Sequence, residues 1–454
     1  VGDGVSHVSE SDRQMRLMQS ESSRHPFPGW HGGQCGPPQS TALSWSFWML
    51  STYDACEGDV LGVALGAAAL MGAPLFIVIF ALSLFFYANN GGIPPENLFA
   101  PLEDLLNNEF ILPIPLFTIA GFILAESQAP RRILRLARAL FGWLPGGVAI
   151  VSILILAVFT AFTGASGVTI IALGGLIWPI MAKQGFSDRF SLGLLTSSGS
   201  IGLLISPLPI FIYLMIASIN DSPLEVDAFF ASAAIPCLLM VGFLVLYAGY
   251  RGVRVQKERE PFRRGEVLPA IREAWAELGL PVFIGALLLS GKISFEDVAI
   301  CTFLYLFVVE VLIHRDIPLF QKFPRVVMDA MSLVGAIVLI LVAVAALNNF
   351  FKDEKVAQDL IAWMQQVIPA DDPILFLLAL NVFLIIVGCM MDIFSAMVAV
   401  LPFIIPLAEQ YGINQYHLGV IFLANLEVGY MTPPVGMNLF ISALHFKRPV
   451  MEVA

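Results

Sequence analysis

The sequence predicts an all-α, polytopic membrane protein built as an inverted repeat, each half holding one re-entrant hairpin and one broken helix. Three observations carry this. Hydrophobic residues make up 57% of the 454 and charged residues only 13%, and several apolar runs approach or pass the roughly 20 residues that span a bilayer. All 24 Lys and Arg lie outside those runs or at their margins. Gly and Pro also interrupt the runs at matched places: with a shift of 227 residues, Pro179 meets Pro406, Gly185 meets Gly412, Gly202 meets Gly429 and Pro207 meets Pro434.

Residues 1–60 form a polar extension rich in Gly, Ser and Pro, without helical periodicity. It lacks the basic start, apolar centre and cleavage site of a signal peptide, and it is expected to be disordered. Apolar segments then recur at about 61–88, 108–126, 146–163, 166–182, 187–219, 229–250, 276–291, 294–313, 326–350, 373–388, 392–408 and 416–446. Residues 61–145 are expected to be scaffold, 146–220 a first transport repeat, 229–350 connecting scaffold, and 372–446 a second transport repeat. The hairpins follow from length. The stretch 146–182 has Thr163-Gly164-Ala165-Ser166-Gly167 at its centre, and two spans of about 20 residues plus an external loop would need more chain. A turn buried at that depth must have its backbone satisfied by protein or by a watery cavity.

Charge fixes the orientation. With hairpins at 146–182 and 373–408, one side receives Arg131, Arg132, Arg135, Arg138, Lys183, Arg189, the seven basic residues from Arg251 to Arg272, Arg315, Lys322, Arg325, Lys447 and Arg448. The other side receives Lys292, Lys352 and Lys355. The positive-inside rule makes the first side cytoplasmic. The first hairpin then opens to the cytoplasm and the second to the outside, and the acidic stretches 89–109 and 220–227 lie outside. The former is either a dock for a soluble partner or a solvated loop.

The breaks are SSGSIGLLISPLP, 197–209, and ANLEVGYMTPPVGMN, 424–438. A helix interrupted within the bilayer leaves amide groups at one half-helix start and carbonyls at the other half's end. Carbonyls with Ser and Thr hydroxyls suit Na⁺, and positive helix starts suit carboxylates. The first candidate sodium site is Gly164, Ala165, Ser166, Gly167, Gly199, Ser200 and Gly202. The second is Gly388, Asp392, Gly429, Thr432, Pro434 and Gly436. Candidate substrate contacts are Ser166, Thr169, Ser206, Pro207 and Asn438. Asp392, after the Gly388-Cys389-Met390-Met391 turn, reads both as an N-cap and as a cation ligand. Glu427 has no basic partner nearby in sequence and is placed to accept amides across the second break.

Gly-Ala-Ser-Gly also suits the nucleophile turn of an intramembrane serine protease, with Ser166 as nucleophile and a histidine base on a neighbouring span. The six histidines are His7, His25, His31, His314, His417 and His445, and none lies between 167 and 313. The transporter reading is therefore the stronger. Arg131, Arg132, Arg135 and Arg138 recur at helical spacing among Ile133, Leu134, Leu136, Leu140 and Phe141, a basic amphipathic helix for the cytoplasmic bilayer surface. Five scattered cysteines show no CxxC or metal spacing and read as free thiols. No basic patch points to nucleic acid, and no Walker motif points to ATP. No cofactor is expected beyond Na⁺ as coupling ion.

GASGVTIIALGGLIWPIMAKQGF, SGSIGLLISPLP and above all NLEVGYMTPPVGMNLF resemble the large, DctM-like permease of tripartite ATP-independent periplasmic (TRAP) transporters, as do FILPIPLFTIAGFILAES and FGWLPGGVAI. The resemblance covers about 61–450. It implies an elevator-type fold, similar to the ion transporter superfamily, in the bacterial inner membrane. It also implies Na⁺-driven import of a small organic anion, with a small four-helix membrane subunit and a periplasmic substrate-binding protein as partners. A stand-alone Na⁺/anion symporter of the same plan is the alternative. Two departures stand out: the family has Pro-Pro where this chain has Ser206-Pro207-Leu208-Pro209, and a further spanning helix follows the position of Lys447-Arg448. Residues 447–454 are accordingly expected to be a truncated C-terminus.

Overall fold

The computed structural model describes residues 75–89, 107–144, 146–220, 222–255, 264–289, 293–353, 356–369 and 372–454, all helical or connecting. The N-terminal extension, most of the acidic stretch 89–109, Cys35 and Cys56 lie outside these residues. The helices are α1 (Leu75–Asn89), α2 (Pro113–Glu126), α3 (Ala129–Phe141), α4 (Gly147–Thr163), α5 (Ser166–Lys183), α6 (Asp188–Ile201), α7 (Pro207–Ile219), α8 (Val226–Val255), α9 (Arg264–Glu273), α10 (Trp275–Leu289) and α11 (Phe295–Leu306). They continue as α12 (Phe323–Asp353), α13 (Val356–Val367), α14 (Pro373–Met390), α15 (Ile393–Gln410), α16 (Gln415–Tyr430), α17 (Met437–Phe446) and α18 (Val450–Val453).

Local chemistry sets the ends. Proline opens α2, α7 and α14, where the missing N–H costs nothing. Side chains of Ser187, Ser294, Asp372 and Asn414 accept amides of the first turns of α6, α11, α14 and α16. Gly164, at φ +66°, ends α4 in the left-handed conformation that glycine takes without strain.

Among the described residues, five helices are long and apolar enough to cross a bilayer: α5, α8, α12, α14 and α15. The pair α6–α7, joined by a 3₁₀ segment at Gly202–Ile205 and bent by 47°, makes a sixth if taken as one span. The protein is thus an all-helical, multi-pass membrane protein. The bend is tighter than the sequence suggests, since the residues of 197–201 remain helical and Ser206 alone is extended. The short helices α9 and α13 fall outside the apolar segments of the sequence, and a π-helical turn at Phe307–Ile313 closes the segment 294–313. Cys237, Cys301 and Cys389 are free thiols.

Two apolar cores organise the described residues. One gathers α7, α12 and α14–α16 with part of α2, the other α3–α6 with α17. Close approach depends on glycine. A Cβ on Gly202 would lie 2.1 Å from the Ala157 carbonyl oxygen and 2.5 Å from the Ala161 nitrogen, so α4 meets the bend backbone to backbone. Gly202→Ala is expected to lower stability by about 1–3 kcal/mol, the usual cost of overpacking. Gly242→Ala, where a Cβ meets nothing within 4 Å, should leave the thermal midpoint in detergent unchanged.

Candidate functional site

The first hairpin turns on two residues. Gly164 donates its N–H to the Thr160 carbonyl at 2.9 Å, and Ala165, extended at φ −136°, starts α5. The Thr163 and Thr169 hydroxyls lie 3.1 Å apart, and the Thr169 hydroxyl donates to the Ala165 carbonyl at 3.3 Å. This tip seats on the bend between α6 and α7. A Cβ on Gly164 would stand 2.9 Å from Leu208 Cβ and 3.1 Å from Ser206 Oγ. Ser206 is fully buried, and its hydroxyl has no partner among the described residues.

The same tip reaches the start of α17. Ser166 Oγ donates to Asn438 Oδ1 at 2.8 Å, while Asn438 Nδ2, equally buried, has no partner among the described residues. Behind them, the Thr196 and Ser442 hydroxyls pair at 2.7 Å. Gly164 and Ser166 therefore stand at the contacts with Ser206 and Asn438. The other four glycine and serine positions of the first candidate sodium site have packing contacts or hydrogen bonds of their own. A Cβ on Gly199 would meet Ile170 at 2.5 Å, and its carbonyl already accepts the Thr160 hydroxyl at 2.8 Å. Gly202 abuts α4, a Cβ on Gly167 would meet Ile441 at 2.6 Å, and the Ser200 hydroxyl donates to the Ser197 carbonyl at 3.0 Å. These positions serve helix packing. A glycine in mid-run gives the same sequence signal for both roles.

The second hairpin joins α14 to α15 through Met391 and Asp392. Asp392 caps α15, accepting the Ser395 N–H at 3.0 Å and the Ser395 hydroxyl. Tyr430 accepts the Ile393 N–H, and the Gly436 N–H donates to the Cys389 carbonyl at 2.9 Å. The hairpin thus closes on the break between α16 and α17. A Cβ on Gly429 would lie 2.7 Å from Gly388 Cα. Thr432 turns back on its own helix, its hydroxyl donating to the Val428 carbonyl at 2.8 Å, and Pro433 and Pro434, joined by a cis bond, are exposed.

Glu427 sits between the two breaks. It is fully buried, neither carboxylate oxygen has a hydrogen-bond partner among the described residues, and the Leu204 backbone of the first break lies beside it. Unpartnered buried oxygens, a free amide donor and carbonyls at helix ends are groups of the kinds that hard cations and carboxylates bind. The hydroxyl of Ser166 donates to Asn438, and no histidine among the described residues is its hydrogen-bond partner.

The basic helix α3 departs from the surface reading at one residue. Arg131 and Arg135 keep to the exposed face, Arg135 pairing with exposed Glu273 at 2.5 Å. Arg132 instead turns inward and is only 14% exposed. It donates through Nε to Glu277, through one terminal nitrogen to Glu310 at 2.7 Å and through the other to Asp316 at 2.7 Å. Burial opposes its charge, but the hydrogen bond it donates to Glu277 and attraction from Glu310 and Glu277 outweigh that and hold the guanidinium above its ordinary range. The signal was available: Glu277 and Glu310 are acids inside otherwise apolar runs, where an ionisable side chain needs a partner.

The model of the tripartite ATP-independent periplasmic transporter family, DctM component, matches residues 63–453. The C4-dicarboxylate TRAP transporter large permease protein DctM of Rhodobacter capsulatus is 28% identical over 400 residues, covering 85% of this chain and 90% of that protein. The ectoine TRAP transporter large permease protein TeaC of Halomonas elongata is 28% identical over 388 residues, covering 85% and 89%. Among solved structures, the crystal structure of the Alcanivorax borkumensis YdaH transporter, titled as revealing an unusual topology, aligns at a TM-score of 0.52 and 14% identity. The alignment covers 78% of this chain and 80% of that one, a likeness of fold.

Asn438→Ala should strand the Ser166 hydroxyl and cost about 1–3 kcal/mol. In a double-mutant cycle with Ser166→Ala, thermal unfolding should show coupling, the second substitution adding little to the first. Arg132→Gln leaves buried carboxylates uncompensated and should cost about 3–5 kcal/mol. Arg135→Gln, at an exposed pair, should change stability by about 1 kcal/mol or less.

Proposed function

The chain belongs to the DctM component family of tripartite ATP-independent periplasmic transporters, and from that premise we propose that it couples Na⁺ entry to import of a small organic anion by an elevator movement. As a large permease it is a transport component rather than an enzyme. In this reading α4–α7 and α14–α17 are inverted repeats. Each hairpin enters the bacterial inner membrane and returns, and the assembly of tips and breaks moves against a frame that includes α2, α8 and α12. A small four-helix membrane subunit completes the membrane part, and a periplasmic binding protein delivers the solute.

One observation carries the reading. Each hairpin tip is seated on a helix break, and Ser166–Asn438 joins the first tip to the second break, so a single buried locus touches both units. Ala165 and neighbouring carbonyls with Ser206 offer oxygens to Na⁺, and Asn438 Nδ2 with the first amides of α5 offers donors to a carboxylate. The relatives' names differ in solute, so the carboxylate class rests on this donor set.

The test is reconstitution of the chain with candidate partner subunits. Uptake of a radiolabelled carboxylate should require an inward Na⁺ gradient and vanish when K⁺ replaces Na⁺. Asp392→Ala and Thr432→Val should raise the Na⁺ concentration for half-maximal uptake. Uptake unaffected by removing Na⁺ would overturn the coupling, and full uptake by the chain alone would favour a stand-alone symporter.

A further inference from the structure

The acids around Arg132 are not balanced by it. Glu277, Glu310 and Asp316 bring three carboxylates against one guanidinium, and the Glu277 and Glu310 side chains are only 2% and 0% exposed. Arg132 engages one oxygen of each acid. The second oxygens, Glu277 Oε2 and Glu310 Oε1, have no hydrogen-bond partner among the described residues. His314 Nδ1, also without a hydrogen bond, stands 3.5 Å from Glu310 Oε2. One ligand atom from each of Glu277, Glu310 and His314 falls within 4.8 Å of the other two.

The backbone holds these groups in place. Glu277 lies in the first turn of α10, Glu310 in the π-helical turn that prolongs α11, and His314 directly after it, its ring edge-on to Trp275 at 6.3 Å. Asp316 is fixed by the Gln128 N–H at 2.9 Å. Buried carboxylates that share a space repel each other and need compensating positive charge. Three acids and one arginine differ by two formal charges, the charge of a dication. The donor set of two carboxylate oxygens and one imidazole nitrogen is that of a borderline transition metal. It is not the all-oxygen set of Ca²⁺ or Mg²⁺, nor the thiolate set of softer ions.

We propose that Glu277, Glu310 and His314 bind a divalent transition-metal cation of the Zn²⁺ class, which with Arg132 fastens the surface helix α3 to α10 and α11. The site is separate from the transport locus and independent of which ion drives transport.

The full chain, purified in detergent and stripped with chelator, is titrated with Zn²⁺ by calorimetry and with Co²⁺ as a spectroscopic probe. His314→Gln is the decisive variant, because it removes a ligand while leaving every Arg132 contact in place. Wild type should bind Zn²⁺ with a rise in thermal midpoint, and Co²⁺ should give visible ligand-field bands that include a nitrogen donor. In His314→Gln the affinity should fall by at least the roughly 10–100-fold that loss of an outer-shell partner costs, and those bands should change. Glu310→Gln should do the same if it folds. His7, His25 and His31 supply background binding, so the difference between wild type and His314→Gln decides. Equal Zn²⁺ affinity and equal Co²⁺ spectra in the two proteins would overturn the proposal. So would the absence of any Zn²⁺ stabilisation in wild type.

Discussion

A helix that stops inside an apolar layer leaves amides and carbonyls that lipid cannot satisfy. The rest of this structure is arranged around that constraint. At the first turn, the Gly164 amide returns to Thr160 and the Thr160 hydroxyl covers the Gly199 carbonyl. At the second, Asp392 takes the Ser395 amide, and Gly436 gives its own to the Cys389 carbonyl. Each break is met by a tip, by close packing of Gly164 on Ser206 and Leu208 at the first and by the Gly436–Cys389 hydrogen bond at the second. The pairs of hairpin and bent helix therefore behave as units.

Such contacts demand that backbones approach within touching distance, and that is what the glycines provide. Gly388 and Gly429 face each other across α14 and α16, Gly202 lies against the Ala157 carbonyl, and Gly164 against Ser206 and Leu208. Within a membrane there is little hydrophobic gain in pressing helix on helix, and close van der Waals contact at small residues takes its place. The chain's glycines at its breaks thus have two tasks, turning and packing.

Those two tasks explain what the sequence could and could not reveal. The hairpin turns were legible because Gly164 and Asp392 each leave a local signature, a left-handed glycine and an N-cap, within a few residues. The bend at Ser206 was legible from Ser-Pro in an apolar run, although its breadth was overread, since Ile201 and its neighbours stay helical. Gly199 and Gly202 both admit a close neighbour, and nothing in the order of residues distinguishes a glycine that frees a carbonyl from one that serves such packing. Arg132 was opaque for a different reason. Its three acids lie 145, 178 and 184 residues away, and an amphipathic basic helix has the same periodicity whether its charges meet lipid headgroups or a buried Glu.

The chain buries acids under two opposite rules, and the contrast separates frame from site. Glu310 and Glu277 are held in a network of hydrogen-bonded charges that joins α3, α10 and α11 and tolerates little displacement. Glu427 is as fully buried as Glu310 and has nothing comparable, only the Leu204 backbone from the other break beside it. Ser206 Oγ and Asn438 Nδ2 are similarly uncommitted. Buried polar groups left without partners are destabilising, so a fold that needed only stability would have replaced or paired them. A binding site must hold some groups back in this way, because donors and acceptors spent on the protein are lost to any cation or carboxylate. The uncommitted atoms of Glu427, Ser206 and Asn438, beside hairpin turns whose own backbone groups are paired, are what the proposed site of exchange rests on.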